Sequence, residues 1–530
     1  MDLPVSFFTW VAAVLPIVAL LVLLIKWRWG VAQAAPVGLG IALFTGLTVF
    51  GGSLPLLSGE LAKGIWGGIA VTFVVVPAIL IFEVTNEAGA FEPFRRGMKQ
   101  FSPNELLQIL TVGWVFSSFL QGVTGFGVPV AIVAPLLTGL GVRPFWAVAV
   151  PVVGHAWGST FGTLAVAWEA LVLQTGIDGA TVLATAFWAG LFIWIMNLAA
   201  GLCICWFYAK GEGLKQGLPA VLAISTLHGG GQMLIAQYNP ILCNFLVASV
   251  ALLLVYALRP LYSKPYRCEQ SPLMDRSIAA SDDDSPLPLT LHQAFLPYYA
   301  LTAITLFVLL VPPVKKMLGF LVVGLPFPET VTAYGFVNPA VALYAPITVF
   351  THAGAFLTLS SLVGYLFFKS KKVTRPDSAA RILQRTMKKA APATIAVVLL
   401  IAMSRVMGGT GQVLVLAQGT AAVTGKYYAL FAPFIGVLGA FMTSSNMASN
   451  ILFSSFQHTM AELLHLSPAV ILGAQTGGAA IGNVLCPGNV LLGATTVGIL
   501  GREGELLKML MPLGLAVAAL CGMIALIATW

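Results

Sequence analysis

The sequence predicts an all-α polytopic membrane protein with about 12–16 transmembrane or re-entrant helices, arranged as two structural repeats with broken helices. Three observations carry this expectation. Of the 530 residues, 58% are hydrophobic and only 9% charged, with a mean hydropathy of +0.93, whereas a soluble domain is usually about a quarter charged. Apolar runs long enough to cross a hydrocarbon core of about 30 Å recur along the whole chain, and none alternates as a strand does. Lipid offers exposed backbone no partners, so helices are the only reasonable element. Finally, Gly and Pro interrupt apolar sequence in two separated regions, and broken backbone at membrane depth must be buried in protein or line a cavity.

The first apolar stretch, 4–25, has no basic residue before it and no small-residue cleavage site, and Lys26 and Arg28 follow it directly. It reads as a retained helix with its N-terminus outside. The second span, about 31–50, then runs outward to a nearly neutral loop around Glu60 and Lys63, and the third, about 65–82, returns to Arg95, Arg96 and Lys99. Residues 87–100 read as an interfacial piece. Further long spans fall at about 181–208, 218–237 and 241–258.

The polar stretch 259–293, with Ser-Asp-Asp-Asp-Ser at 281–285, is the expected join between two membrane halves. The N-terminal half, 1–258, is broken over 119–165; the C-terminal half, 294–530, is broken over 408–424 and 443–490. Between 369 and 389 eight basic residues face the single acid Asp377, which marks this loop as cytoplasmic. A weak internal correspondence supports repeats: Pro144 is followed by Gly154 and Gly158, and Pro468 by Gly478 and Gly482, at matching offsets.

The net charge of +8 is spread over short loops beside spans rather than over one folded face. That is a topological signal and excludes a nucleic-acid partner. The six cysteines lie mostly in apolar stretches without ligand spacing and read as small core residues, so no metal site is expected. No carboxylate pair, zinc-type histidine spacing, nucleophile elbow or phosphate-cradling loop is present, which argues against an enzyme and against any cofactor. A proton-conducting subunit of a respiratory complex would need lysines and glutamates within its spans, and these are scarce.

The broken segments carry the candidate binding residues. In 119–132, Gly122, Gly125 and Gly127 let backbone N–H groups approach a ligand, Pro129 can open a half-helix, and Gln121 and Thr124 add side-chain donors. In the second half, Ser444, Ser445, Asn446, Ser449 and Asn450 are too densely polar for a lipid-facing span. Gln475 and Asn483 belong to a similar cluster flanking Cys486-Pro487-Gly488. Arg405 follows a long apolar run, where an unpaired charge costs several kcal/mol. It is expected to pair with an anionic ligand, to snorkel to the interface, or to meet an acid such as Glu83 or Glu169. His155 sits beside the broken helices and titrates near physiological pH.

The segment FLQGVTGFGVPVAI at 119–132 resembles the FLEG-x-x-GFGxPVAI signature of the lactate permease family. Further matches follow in order: LLTGLGVRP at 136–144, ASNILFSSFQ at 448–457, GGAAIGNVLCPGN at 477–489 and ATTVGILGREGE at 494–505. The resemblance covers nearly the whole length. It implies a secondary active carrier of lactate- or glycolate-type 2-hydroxy monocarboxylates in the bacterial inner membrane, coupled to H+. Its partners would be a small anion and membrane lipid, and homo-oligomerisation stays open.

The sequence departs from the family where coupling chemistry would be expected. The acid of the FLEG position is Gln121 here, and the Asp of the family's Ser-Asp-Thr-Ser-Ser-Asn run is Asn446. An amide keeps the shape of the acid but takes up no proton near neutral pH. The family's Asn-Thr-Ala-Pro-like stretch is Gly154-His155-Ala156-Trp157, making His155 the coupling candidate. Retaining Arg405 while losing two acids would suit a dicarboxylate, sulfonate or sulfate as well, with Na+ or no ion coupled.

Overall fold

Eleven helices among the described residues of the computed structural model are long and apolar enough to cross a membrane. The structure describes residues 3–279 and 287–529. The run at 281–285 lies outside them, as do the side chains of Arg95 and Lys99.

The most extensive contact between helices among the described residues joins Leu54–Glu87 and Ser378–Gly409. Along it Glu60 meets Arg405, Gly64 abuts Ala402, Gly68 abuts Val398, Glu83 meets Lys389, and Glu87 meets Arg381 and Arg385. One numbering rises as the other falls, so the two helices are antiparallel.

Each of these helices opens a series of elements in the same order. After Leu54–Glu87 come the amphipathic helix Phe91–Phe101, a hairpin formed by Glu105–Val123 and Val128–Gly139, a broken crossing formed by Pro144–Ala156 and Gly162–Thr175, and a long helix from Gly179. After Ser378–Gly409 come Gln412–Thr424, a hairpin of Tyr428–Thr443 and Asn446–Leu463, a broken crossing of Pro468–Leu485 and Pro487–Thr496, and Glu503–Ala528. Since the leading helices are antiparallel, the second series is inverted relative to the first.

Both hairpins return to the side on which they start. Asn104 and Val142, at the two ends of the first, bridge to Tyr266 and Met274 of one loop. In the second, Tyr428 donates to Gln457 at 2.6 Å far from the tip, and Ser449 to the Gly436 carbonyl at 2.9 Å nearer to it. The first arm of each hairpin presses on the crossing that follows. A Cβ at Gly154 would lie 2.0 Å from the Gly113 carbonyl oxygen, and one at Gly478 would lie 2.0 Å from that of Pro433. The matching glycines therefore serve the same close approach in each series.

Three expectations need correction. Glu60 and Lys63 are not in a loop; they are buried in the helix Leu54–Glu87, because Glu60 neutralises Lys63 at 2.6 Å and Arg405 at 2.9 Å. The basic stretch 369–389 is a loop only over 371–377; Arg381, Arg385, Lys388 and Lys389 belong to the helix Ser378–Gly409, where Glu83 holds Lys389. Lastly, two antiparallel ladders occur between helices, Val322–Phe327 with Val341–Thr348 and Thr330–Val331 with Val337–Asn338. They sit at the end of the helix pair marked by Glu60 and Arg405, where Trp66 donates to the Tyr344 carbonyl and Asn338 to that of Gly409. Outside the spans their free edges can reach water, which a strand in lipid cannot.

Candidate functional site

Four chain breaks, two from each series, converge at one place. At the first hairpin tip Gly125, Phe126 and Gly127 have φ of 58°, 51° and 78°. In the first crossing Thr163, Leu164 and Ala165 take φ of 50°, 51° and 66°, and at the second hairpin tip Ser444 takes 55°. A left-handed non-glycine residue costs roughly 1–2 kcal/mol, so three in succession persist only where their surroundings impose them.

Those surroundings are crosswise. The arm Asn446–Leu463 packs on Gly162–Thr175, and Val128–Gly139 packs on Pro487–Thr496. Asn446 Nδ2 donates to Ser159 Oγ at 3.0 Å and to Thr160 Oγ1 at 3.1 Å, while Asn450 Nδ2 reaches the Ala167 carbonyl at 2.9 Å. Within the second series, the Gly488 N–H donates to Ser444 Oγ at 3.1 Å and Asn489 Nδ2 to Asn483 Oδ1 at 2.9 Å.

Between the breaks lies a narrow cleft, about 420 Å³ when the open space at its mouth is included. Gln121, Phe126, Gly127, His155, Ser159 and Thr163 line it from the first series, and Ser444, Ser445, Asn446, Met447, Asn483 and Asn489 from the second. No Lys, Arg, Asp or Glu stands in this lining. Positive potential comes instead from backbone. The half-helices beginning at Val128, Asn446 and Pro487, and the helical part of Gly162–Thr175 that follows its left-handed residues 163–165, each contribute a first-turn residue or N-cap to the cleft or its rim. Each helix N-terminus carries roughly half an elementary charge and N–H groups without intrahelical partners. Such an arrangement can hold a small anion without a buried cation.

His155 is the only titratable side chain in the lining. It is fully buried, and its Nδ1 lies 2.6 Å from the Pro151 carbonyl. A carbonyl only accepts, so Nδ1 carries the hydrogen, and in the neutral ring Nε2 keeps its lone pair. Nε2 has no hydrogen-bond partner among the described residues.

A second, larger cavity adjoins the cleft. It measures about 1530 Å³ including its open mouth, where Lys388 and Lys389 of the helix Ser378–Gly409 stand, and it shares Phe126, Ser444, Ser445, Met447 and Asn489 with the cleft.

Of the residues singled out from sequence, Gln121, Gly127, His155, Ser444, Ser445, Asn446 and Asn483 are brought together in the cleft. The others are not in its lining. Gly122 packs against the Phe245 backbone, Thr124 closes its own helix through the Leu120 carbonyl, and Gly125 sits at the tip against Thr163. Ser449, Asn450 and Gln475 tie the second hairpin to its neighbours: Gln475 Nε2 donates to Ser449 Oγ at 3.2 Å, and Asn450 Nδ2 to Thr476 Oγ1 at 3.0 Å.

Arg405 lies elsewhere altogether. Its Nη2 is 2.9 Å from Glu60 Oε2 and its guanidinium stacks 5.5 Å from the Tyr344 ring centre. Its partner is neither Glu83 nor Glu169, because the antiparallel register brings Glu60 opposite it. Sequence reasoning passed over Ser159, Thr163, Phe126 and Met447. The run Gly-Ser-Thr-Phe-Gly-Thr at 158–163 held a signal, since its hydroxyls are flanked by chain-breaking glycines just as those of 443–450 are flanked by polar amides.

Comparison with known proteins matches residues 9–530 to the family model described as L-lactate permease. The L-lactate permease of Escherichia coli (strain K12) is 27% identical over 98% of this chain and 96% of its own length. The L-lactate permease of Halalkalibacterium halodurans is 25% identical over 94% and 92%, and a glycolate permease of Escherichia coli (strain K12) 25% over 91% and 89%. The crystal structure of the Alcanivorax borkumensis YdaH transporter aligns over 89% of this chain and 87% of its own, at 14% identity and a TM-score of 0.43. The relatives are permeases rather than enzymes, and bacterial ones, which with eleven candidate spans gives a multi-pass protein of the bacterial inner membrane. The chain belongs to the L-lactate permease family.

Proposed function

We propose that this chain is a secondary active carrier of 2-hydroxy monocarboxylates of the lactate and glycolate type, moved together with H+. The observation that carries this reading is the uncharged cleft at four converging breaks. Half-helix N-termini supply diffuse positive potential suited to one carboxylate, while neutral amides and hydroxyls fit a neighbouring hydroxyl group. A dianion would need a fixed cation, and Arg405, which suggested one, is committed to Glu60. The relatives' names, lactate and glycolate permease, agree with a small monoanion.

His155 is the proposed proton carrier. Gln121 and Asn446, standing where the family has acids, cannot titrate, whereas His155 belongs to the lining and its buried Nε2 has no hydrogen-bond partner among the described residues. The two series move against each other as inverted repeats, and the cavity toward the basic loop makes the present arrangement one that opens to the cytoplasm. A reading with sodium as the coupling ion has one observation in its favour: Asn450 Oδ1 is buried and unpartnered among the described residues, close to the Thr476 hydroxyl that Asn450 Nδ2 engages.

The test is uptake of labelled lactate, glycolate, malate and a sulfonate into proteoliposomes under an inward proton gradient, a sodium gradient, or neither. Lactate and glycolate should accumulate with the proton gradient only. His155→Gln should keep lactate counterflow while losing proton-driven accumulation. Uptake of malate or the sulfonate in preference to both monocarboxylates would sink the substrate assignment, and undiminished proton drive in the His155 variant would sink the coupling assignment.

A further inference from the structure

The cavity between the cleft and the basic loop has a wall and a mouth of different character. Its wall is apolar, with Ile79, Phe82, Val397, Leu400 and Leu492, and its mouth carries Lys388 and Lys389. The charges near that mouth can be accounted for one by one. Lys389 is 2.5 Å from the buried Glu83 and stands 4.6 Å from the centre of the Phe82 ring. Arg381 and Arg385 are both held by Glu87, at 2.6 and 2.9 Å. Lys388 is exposed, and no acid lies within ion-pair distance of it among the described residues. Asp377 also holds Arg381, and the mouth thus carries in Lys388 a positive charge without an acid partner, above an apolar shaft that ends at Phe126, Met447 and the polar tips of the cleft.

From this geometry we infer that Lys388 is an anion-capture site, a low-affinity waypoint that takes a small carboxylate on the cytoplasmic side and sets how readily it exchanges with the cleft. The inference rests on the carrier reading and adds a second binding position, outside the cleft, used from one face only. A low-dielectric wall concentrates the field of a charge at its rim, and so raises the local concentration of small counter-ions at the entrance. The neighbouring Lys389 has a different task. With Glu83 it fastens Ser378–Gly409 to Leu54–Glu87, so its charge is spent within the wall.

The experiment compares the two faces of the membrane. Counterflow of labelled lactate and glycolate is measured in inside-out and right-side-out vesicles holding the wild type, Lys388→Glu or Lys388→Arg, at low and high ionic strength. Lys388→Glu is expected to raise the half-saturation concentration at the cytoplasmic face about 3- to 10-fold at low salt, to lose most of that effect near 1 M salt, where the screening length is about 3 Å, and to leave the outer face unchanged. Lys388→Arg should behave as wild type. A shift that is equal at both faces, insensitive to salt, or absent would overturn the capture site. The underlying reading is checked by the wild type alone: if wild-type vesicles exchange neither anion, the carrier reading falls with the inference, whereas wild-type exchange with an unaffected Lys388→Glu removes the capture site only.

Discussion

The cleft at the four breaks and the helix pair Leu54–Glu87 with Ser378–Gly409 are neighbours in the fold, yet they handle charge in opposite ways. The pair concentrates ionised groups: Glu60 with Lys63 and Arg405 towards one end, Glu83 with Lys389 and Glu87 with Arg381 and Arg385 towards the other. Glu60 and Glu83 are roughly 35 Å apart along one helix at 1.5 Å per residue, close to the hydrocarbon thickness of about 30 Å. The ion pairs therefore clamp the two leading helices near both membrane boundaries. The polar side chains of the cleft, by contrast, are only amides, hydroxyls and one imidazole. Fixed charge is used where two helices must stay together, and oriented backbone is used where a ligand must come and go. A buried cation would bind an anion well but would carry a large desolvation cost whenever the site emptied.

This contrast can be broken by moving charge out of the clamp. Glu60→Ala leaves Lys63 and Arg405 without their shared partner in a buried setting, and breaking such a pair costs about 3–5 kcal/mol. The expected outcome is loss of folded, monodisperse protein in detergent, read by thermal unfolding and size-exclusion profile. If Glu60→Ala remained as stable as wild type, the clamp would have no structural weight. Arg405→Gln should do less, about 1–3 kcal/mol, since Lys63 still neutralises Glu60. Its lactate KM should stay at the wild-type value, and a rise in KM at unchanged stability would return Arg405 to the ligand.

The smallest expected energy belongs to the cleft, where the effect is on binding instead. Asn446→Ala removes the amide that spans Ser159 and Thr160. It should raise KM about tenfold, or about 1.4 kcal/mol, while the melting temperature shifts little. A large fall in stability with an unchanged KM would make Asn446 part of the frame rather than of the site.

The candidate site was partly legible because polar side chains are costly in lipid and stand out wherever they cluster. Gln121, Asn446 and Asn483 were visible in this way, and all three line the cleft. Ser159 and Thr163 were not, because small hydroxyls among glycines also suit close helix packing. Arg405 was visible as an anomaly, but its meaning depended on Glu60, 345 residues away in sequence. Locally, Glu60 and Lys63 lower the hydropathy and point to a loop. In the fold their charges cancel inside a helix.

By itself, then, the amino-acid sequence determined the solvent, the helical class, the basic character of 369–389 and the places where helices break. Each of these follows from local composition: the hydropathy of a segment, the charge of a short loop, the density of Gly and Pro. Only the tertiary structure decided that the two series are inverted, that each hairpin turns back, and that Arg405 serves a clamp while neutral tips form the cleft. Those facts depend on which residues distant in sequence come to face one another. That is set by the antiparallel register of Leu54–Glu87 and Ser378–Gly409, and no local pattern encodes it.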